Sequence, residues 1–224
     1  MGPFLVTGGA GFFGGLLKHR LLALGHDVVS LDIQPDHDQH PRLTSVQGDI
    51  RNQDVVAGLF AKYRFSTAFH CAAMLAHAVK DKNFLWTSNV DGTRILAEAA
   101  RRHGTASLVF TSSNCLWAHD FGRPVVESDE PSPAEIYGRS KLEGEGVLRG
   151  FAGDLNVSVI RCPTIIDEGR LGLLAILFEF ISEGRTVWVV GKGMNRYQFI
   201  YAQDLIDAFL LAAAKENSGT YNIG

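Results

Sequence analysis

Cysteine is scarce in this chain. There are three, Cys71, Cys115 and Cys162, an odd number with no CxxC spacing. A disulfide framework is excluded, and a reducing compartment, the cytoplasm, is expected. Long apolar runs are missing too: the richest stretch, Leu171 to Ile181, is interrupted by Glu179 and is too short to span a bilayer. Phe4-Leu5-Val6 runs at once into glycines, unlike a secretory leader, and Val6 stands where a myristoylation signal needs Ser or Thr. Nor is there an excess of positive charge. The 21 Lys and Arg against 24 Asp and Glu leave a net charge of −3, without the footprint expected for nucleic acid or an anionic membrane. His37 and His40, beside Asp36 and Asp38, read as solvated loop residues, and no ligand set has tetrahedral spacing, so no metal is expected.

What is present is an ordinary globular composition. A chain of 224 residues buries roughly 70–75% of its unfolded surface on folding, enough for one large domain with a small appended lobe. Short apolar runs alternate with longer amphipathic ones. Strands are expected at Pro3–Val6, Val28–Leu31, Thr44–Gln47, Thr67–Cys71, Ser107–Thr111 and Val157–Arg161. Helices are expected at Leu16–Leu24, Asp54–Tyr63, Phe84–His103 and Tyr137–Leu148. This alternation implies crossover units and a doubly wound parallel α/β sheet. Further along, Leu171–Ser182 and Gln203–Ala214 read as helices, and Val187–Val190, Phe199–Tyr201 and Tyr221–Ile223 as short strands, the last reaching the chain end uncovered. Asp36 to Pro41 reads as a mobile polar loop.

The run Thr7-Gly8-Gly9-Ala10-Gly11-Phe12-Phe13-Gly14 lies between the first strand and the first helix. It fits GxGxxG through Gly9, Gly11 and Gly14, and GxxGxxG through Gly8, Gly11 and Gly14. Glycine there serves a tight turn, backbone approach to a pyrophosphate, and close helix–strand packing, while the helix N-terminus offers unpaired N–H groups to an anion. Asp32 follows at the end of the second strand. A carboxylate in that place accepts hydrogen bonds from ribose hydroxyls and repels a 2′-phosphate, which favours NAD over NADP.

Tyr137 and Lys141 stand at i and i+4. On a helix they share a face, roughly 5–6 Å apart at Cβ. A neighbouring ammonium lowers a phenol's pKa from about 10 toward the range useful for proton transfer. Ser113 follows the fifth strand, at the carboxyl edge where parallel sheets place ligands, and its hydroxyl would hold a substrate oxygen. Cys115, with no histidine placed by sequence to activate it, reads as a packing residue. Glu127, Asp129 and Glu130 read as a solvated acidic loop.

Together these residues resemble the extended short-chain dehydrogenase/reductase superfamily, in particular its NAD-dependent epimerase/dehydratase branch. The likeness runs from Phe4 to Gly224. TGGAGFFG is similar to the family's TGGxGxxG loop, which implies that Phe12 and Phe13 lie against the cofactor phosphates. Gly48-Asp49-Ile50 resembles the GDI segment, whose aspartate meets the adenine amino group. His70-Cys71-Ala72-Ala73 resembles the HxAA strand end lining the cofactor. Asn89-Val90-Asp91-Gly92-Thr93 resembles NVxGT, with the asparagine bracing the sheet near the active site. Thr111-Ser112-Ser113 resembles the serine segment, Tyr137 and Lys141 the YxxxK pair, Arg161-Cys162-Pro163 the RxP segment beside the nicotinamide, Phe199 to Leu205 the FIYVDDL run, and Tyr221 to Gly224 the YNIG strand.

The resemblance implies a Rossmann sheet over residues 1–163 with NAD across its strand ends, and a partial substrate-binding region over 164–224 that returns elements to the sheet. It implies Ser113, Tyr137 and Lys141 as the catalytic set. It implies cofactor contacts from Gly8, Gly11, Phe12, Phe13, Gly14, Asp32, Asp49, Ile50, Cys71, Ala72, Ala73, Asn89, Tyr137, Lys141 and Pro163. The activity implied is epimerase, dehydratase or dehydrogenase chemistry on a hydroxyl of a small-molecule substrate, a nucleotide sugar. It also implies a homodimer through a four-helix bundle formed by the long helix and the one bearing Tyr137, with Leu96, Ala97, Ala99 and Ala100 facing the partner or the chain's own sheet. Tyr197-Gln198 replaces the family's Arg-Asp before FIY, and Trp117-Ala118 replaces Tyr-Gly. The first departure keeps a second expectation open, a reductase or dehydrogenase of a non-nucleotide alcohol or ketone such as a steroid or polyol. Because family members continue past YNIG, a third is a truncated cofactor-binding protein without turnover.

Overall fold

The computed structural model describes residues 2–75, 80–168, 170–188, 191–194 and 196–224. Seven strands form one parallel sheet in the order β3-β2-β1-β4-β5-β6-β9: β1 Phe4–Thr7, β2 Val28–Asp32, β3 Leu43–Gln47, β4 Thr67–His70, β5 Ser107–Ser113, β6 Asn156–Cys162 and β9 Gly219–Asn222. The chain leaves β1 in both directions, so β1 and β4 flank the crevice where open α/β sheets bind ligands. A separate parallel pair, β7 (Thr164–Ile166) and β8 (Phe199–Tyr201), extends past β6.

The inner strands β1, β4 and β5 are buried along almost their whole length because both faces are covered, whereas the edge strand β3 is largely exposed. Helices α1 (Phe12–Ala23) and α7 (Ala202–Ala213) cover one face, where Leu17 and Leu21 meet Leu205 and Phe209. Helices α2 (Gln53–Lys62), α4 (Gly92–Arg102) and α5 (Ile136–Arg149) cover the other, where Leu59, Leu96 and Leu148 share a core. The long helix expected over Phe84–His103 is broken. It runs as α3 (Lys82–Trp86), a π-turn at Thr87–Asp91, and then α4. Such turns insert one residue per helical turn and often mark functional sites; here the π-turn brings Asn89 inward. Gly92 follows it, where any Cβ would strike Ile50.

Several expectations are corrected. The first helix begins at Phe12, four residues before Leu16, directly from the glycine turn. Tyr221 and Asn222 do not stand uncovered but pair with β6. Val187 and Trp188 lie in an irregular exposed stretch rather than a strand, and Val189 and Val190 fall outside the described residues. Of the residues expected to face a partner or the chain's own sheet, Leu96, Ala97 and Ala100 are buried in the chain's own core and Ala99 packs partly buried against it, leaving Arg94, Glu98, Arg101 and Arg102 on the outer side of α4. Helix α6 (Leu173–Ser182) carries exposed Ile176, Phe178 and Ile181. Among the described residues no helix is long and apolar enough to cross a membrane.

Candidate active site

A cavity of about 460 Å³ opens at the carboxyl edge of β1, β2 and β4. It lies within the range of small-molecule sites, about 300–1,000 Å³. Gly8 and Gly11 of the glycine turn, Asp32, Asp49, Ile50 and the Cys71-Ala72-Ala73 segment all line it. The turn is built as a backbone cradle. Gly8 has φ +75°, and a Cβ there would collide with Ala72; at Gly14 it would strike the carbonyl of Gly8. Helix α1 follows its N-cap Gly11 with no side-chain cap and no acidic residue in its first turn. Its first N–H groups therefore face the cavity edge with only the helix dipole's positive end. Asp32 ties this turn to β2: Oδ2 accepts from the N–H of Ala10 at 3.0 Å and Oδ1 from that of Gln34 at 2.9 Å. A pyrophosphate over uncapped N–H groups and a ribose beside Asp32 fit this surface.

At the far end of the cavity Asp49 is gripped by Arg51, with Nη2–Oδ2 at 2.5 Å and Nε–Oδ1 at 3.0 Å, and the guanidinium holds its carboxyl below the usual range. Arg51 also stacks 4.2 Å above the ring of Phe84, itself a cavity residue. Ile33, Gln34, Met74, Phe84 and Ser88 line the cavity as well and were not singled out from sequence. Ile33 and Gln34 were within reach of that reasoning, since they directly follow Asp32.

The other candidate residues sit further along the same sheet edge, outside this cavity. Gly138 lets α5 approach closely, because a Cβ there would meet the carbonyl of Cys115. That contact sets Tyr137 beside the segment that begins with Ser113. Ser113 is buried; its Oγ accepts from the N–H of Cys115 at 3.1 Å, and its hydroxyl is in hydrogen-bond reach of the Tyr137 phenol. Lys141 is 1% exposed; Nζ donates to the carbonyl of Thr111 at 2.8 Å and lies 5.9 Å from the centre of the Tyr137 ring. Burial brings Lys141 down to about 8, against smaller opposing influences from Cys162, Cys71 and Glu145.

Tyr137 corrects an expectation. Burial is the largest influence on its phenol and raises the pKa above the ordinary 10; only Ser113 acts in the opposite direction. The ammonium one helical turn away does not outweigh the loss of solvent around the phenolate. Asn89 is a brace and has no free polar atom for a cofactor: Oδ1 accepts from Met74 N at 2.7 Å, while Nδ2 donates to Met74 O at 3.0 Å and Ser140 Oγ at 2.9 Å. Phe13 turns its ring into the core against Phe209, 4.9 Å between centroids, so only its backbone faces the turn. Phe12 is partly buried under the guanidinium of Arg170. Arg161 points away from the strand end and forms a buried pair with Glu145, 2.7 Å, which also accepts from Ser112 Oγ. Trp117 lies over that same guanidinium. Pro163 is buried between β6 and β7.

The cysteines also differ from expectation. Cys115 is exposed rather than packed. Burial pushes Cys71 and Cys162 up to about 12, which leaves them as unreactive thiols. Glu127 is not simply solvated, since its Oε1 accepts from the N–H of Asn222 at 2.8 Å.

A Rossmann-type sheet with a glycine cradle, a ribose-side carboxylate and a Ser/Tyr/Lys set along one edge defines a dinucleotide-binding protein of the short-chain dehydrogenase/reductase kind. The chain belongs to the NAD dependent epimerase/dehydratase family, whose model matches residues 4–224. It is 34% identical over 239 residues to UDP-glucose 4-epimerase of Mycolicibacterium smegmatis, covering 98% of this chain and 76% of that protein. It is also 34% identical over 229 residues to 3 beta-hydroxysteroid dehydrogenase/Delta 5→4-isomerase of Mycobacterium tuberculosis, covering 96% of this chain and 60% of the relative. The crystal structure of UDP-glucose 4-epimerase from Thermotoga maritima with UDP-glucose superposes with a TM-score of 0.87 at 26% identity, over 99% of this chain and 76% of that one. The chain spans 55% of the length of one curated relative and 76% of another.

Proposed function

We propose that this chain binds NAD and, with it, acts on a hydroxyl-bearing carbon of a nucleotide sugar as an epimerase or dehydratase. The observation that carries the reading is the continuity of one sheet edge, from the uncapped α1 turn and Asp32 to Ser113, Tyr137 and Lys141. When bound, NAD supplies a reversible hydride acceptor. The turn amides of Gly11 to Gly14 hold the pyrophosphate, and Asp32 accepts from the ribose. Ser113 turns its hydroxyl proton to the substrate oxygen and fixes its direction. Tyr137 exchanges the proton with that oxygen. The protonated form that burial favours suits the reducing direction, and Lys141 supplies the nearby positive charge that the oxidising direction needs. The reading includes a homodimer through α4 and α5 and a cytoplasmic setting. UDP-glucose names both a relative's substrate and a structural neighbour's ligand, which supports the nucleotide sugar.

A second reading, a dehydrogenase of a non-nucleotide alcohol, draws on two observations. Tyr197 and Gln198, both exposed, stand where a diphosphate-binding Arg-Asp pair is expected, and one relative is named for a steroid alcohol. Incubation with NAD and a panel of UDP-glucose, dTDP-glucose, a 3β-hydroxysteroid and a polyol separates the two. Inversion of a sugar centre without net NADH supports the first, and steady NADH from the steroid or polyol supports the second. Tyr137→Phe abolishes either while leaving NAD affinity nearly intact; unchanged turnover refutes the role of Tyr137.

A further inference from the structure

Within Asp36–Pro41, expected as a mobile polar loop, Asp36 and Asp38 are held by charge while residues 37 and 39–41 are exposed. Lys18, on α1, is 1% exposed, and its ammonium lies between two carboxylates, 2.6 Å from Asp36 Oδ2 and 2.7 Å from Asp38 Oδ2. The side chain of Asp36 is 6% exposed and also accepts from Ser30 Oγ of β2 at 2.8 Å. Its second oxygen accepts from the N–H of Asp38 at 3.2 Å. His19 Nε2 meets Asp38 at 2.6 Å from the outer side. Ser30 lies directly beneath Gly9, where even a Cβ would collide with its hydroxyl. A single chain of contacts thus runs from the glycine turn through Ser30, Asp36, Lys18 and Asp38 to His19.

We infer that Lys18, Asp36 and Asp38 are positioning residues that fix the Asp32–Gln34 segment for the adenosine ribose and make the site selective against a 2′-phosphate. The inference rests on the proposed NAD binding. Segment 33–38 has no helix and no strand; past the N–H of Gly48 on the Asp32 carbonyl at 2.8 Å and Gln47 Nε2 on the Ile33 carbonyl at 3.2 Å, side-chain carboxylates hold it. Asp32, hydrogen-bonded to Ala10 and Gln34, anchors one end; the Lys18 pair anchors the other. Between these two anchors Ile33 and Gln34 line the cavity. The selectivity follows from the carboxylate that this brace supports. A 2′-phosphate entering here meets Asp32, which lines the cavity, while Asp36 and Asp38 lie behind it and are held by Lys18. The cation on α1 that a sequence reader would offer it, Lys18, is buried and already engaged by two carboxylates. A phosphate site needs a free, fork-presenting or point cation, and this one is neither exposed nor uncommitted.

The test uses the full chain and calorimetric or fluorescence titration with NAD, NADP, ADP-ribose and nicotinamide mononucleotide. Lys18→Met keeps the side-chain stem and removes the charge. It is expected to raise the Kd for NAD and ADP-ribose by roughly tenfold or more, the scale of one charge-assisted hydrogen bond, while the Kd for nicotinamide mononucleotide stays put and the NAD-to-NADP preference narrows. Lys18→Arg restores the ADP-ribose affinity. Asp38→Asn, at the more exposed arm of the brace, decides the matter should Lys18→Met fail to fold: ADP-ribose weakens several-fold, NADP does not. Equal weakening of both halves of the dinucleotide, or an unchanged Kd for ADP-ribose in both variants, overturns the inference while the proposed NAD-dependent function stands. Failure of the wild-type chain to bind NAD or ADP-ribose overturns the functional reading itself.

Discussion

His70 ends β4 with none of its surface exposed, Nδ1 2.8 Å from Thr7 Oγ1 and Nε2 2.8 Å from Thr93 Oγ1. Burial, and then the charge of Lys141, bring its pKa from 6.5 down to about 3. The native chain therefore keeps this imidazole neutral across a range in which the unfolded chain protonates it. A group depressed on folding adds stability above its unfolded pKa, and that stability drains away as pH falls from 6.5 toward about 3. The slope is one proton, about 1.4 kcal/mol per pH unit, so His70 alone accounts for a loss of about 2 kcal/mol between about pH 7 and pH 5. His70→Gln keeps a hydrogen-bonding side chain without the titration. Urea unfolding of both proteins at these two pH values gives the difference directly. The variant, whatever its absolute stability, should lose about 2 kcal/mol less than the wild type over the interval. Identical losses in the two proteins would show that the imidazole is not held neutral by the fold, and the reasoning would fail.

Other outcomes follow from the same geometry. Glu145→Gln leaves Arg161 buried without its charge partner and is expected to lower stability by about 3–5 kcal/mol, read as a fall in Tm; a second change, Arg161→Met, recovers part of it if the pair is coupled as the 2.7 Å contact implies. Asp32→Ala removes the acceptor at the ribose and the tie to Ala10, so the Kd for NAD rises more than that for NADP. Equal loss of both nucleotides would contradict the role given to that carboxylate.

The parts of the site that were legible in sequence are those built from neighbours along the chain. Gly8, Gly11 and Gly14 make one turn, and Asp32 ends the strand beside it, so spacing alone carries the argument. Tyr137 and Lys141 are likewise one helical turn apart. The fold was legible for a related reason: strands apolar on both faces and punctuated by glycine leave few alternatives to a parallel sheet.

Contacts across the chain were not legible. Lys18 and Asp36 are separated by a strand and a loop, and nothing in a polar run such as Asp36 to Pro41 says that one of its carboxylates is buried. The same holds for Arg161, whose partner Glu145 lies on the helix packed behind the sheet. Phe13 was placed at the phosphates by resemblance. Once α1 starts at Phe12, the helical phase carries that ring into the core instead. Asn89 was assigned to the cofactor, but the π-turn rotates it to bridge Met74 and Ser140. The direction of the Tyr137 shift was missed because sequence shows the ammonium and not the loss of solvent.

The central claim is that one dinucleotide lies along the edge from the glycine turn to Tyr137. A crystal structure of the chain soaked with NAD tests it most directly. The account predicts the pyrophosphate over the first amides of α1, the adenosine ribose on Asp32, and the nicotinamide within reach of the Tyr137 hydroxyl. NAD bound elsewhere, or bound with the nicotinamide turned away from Tyr137, would contradict it.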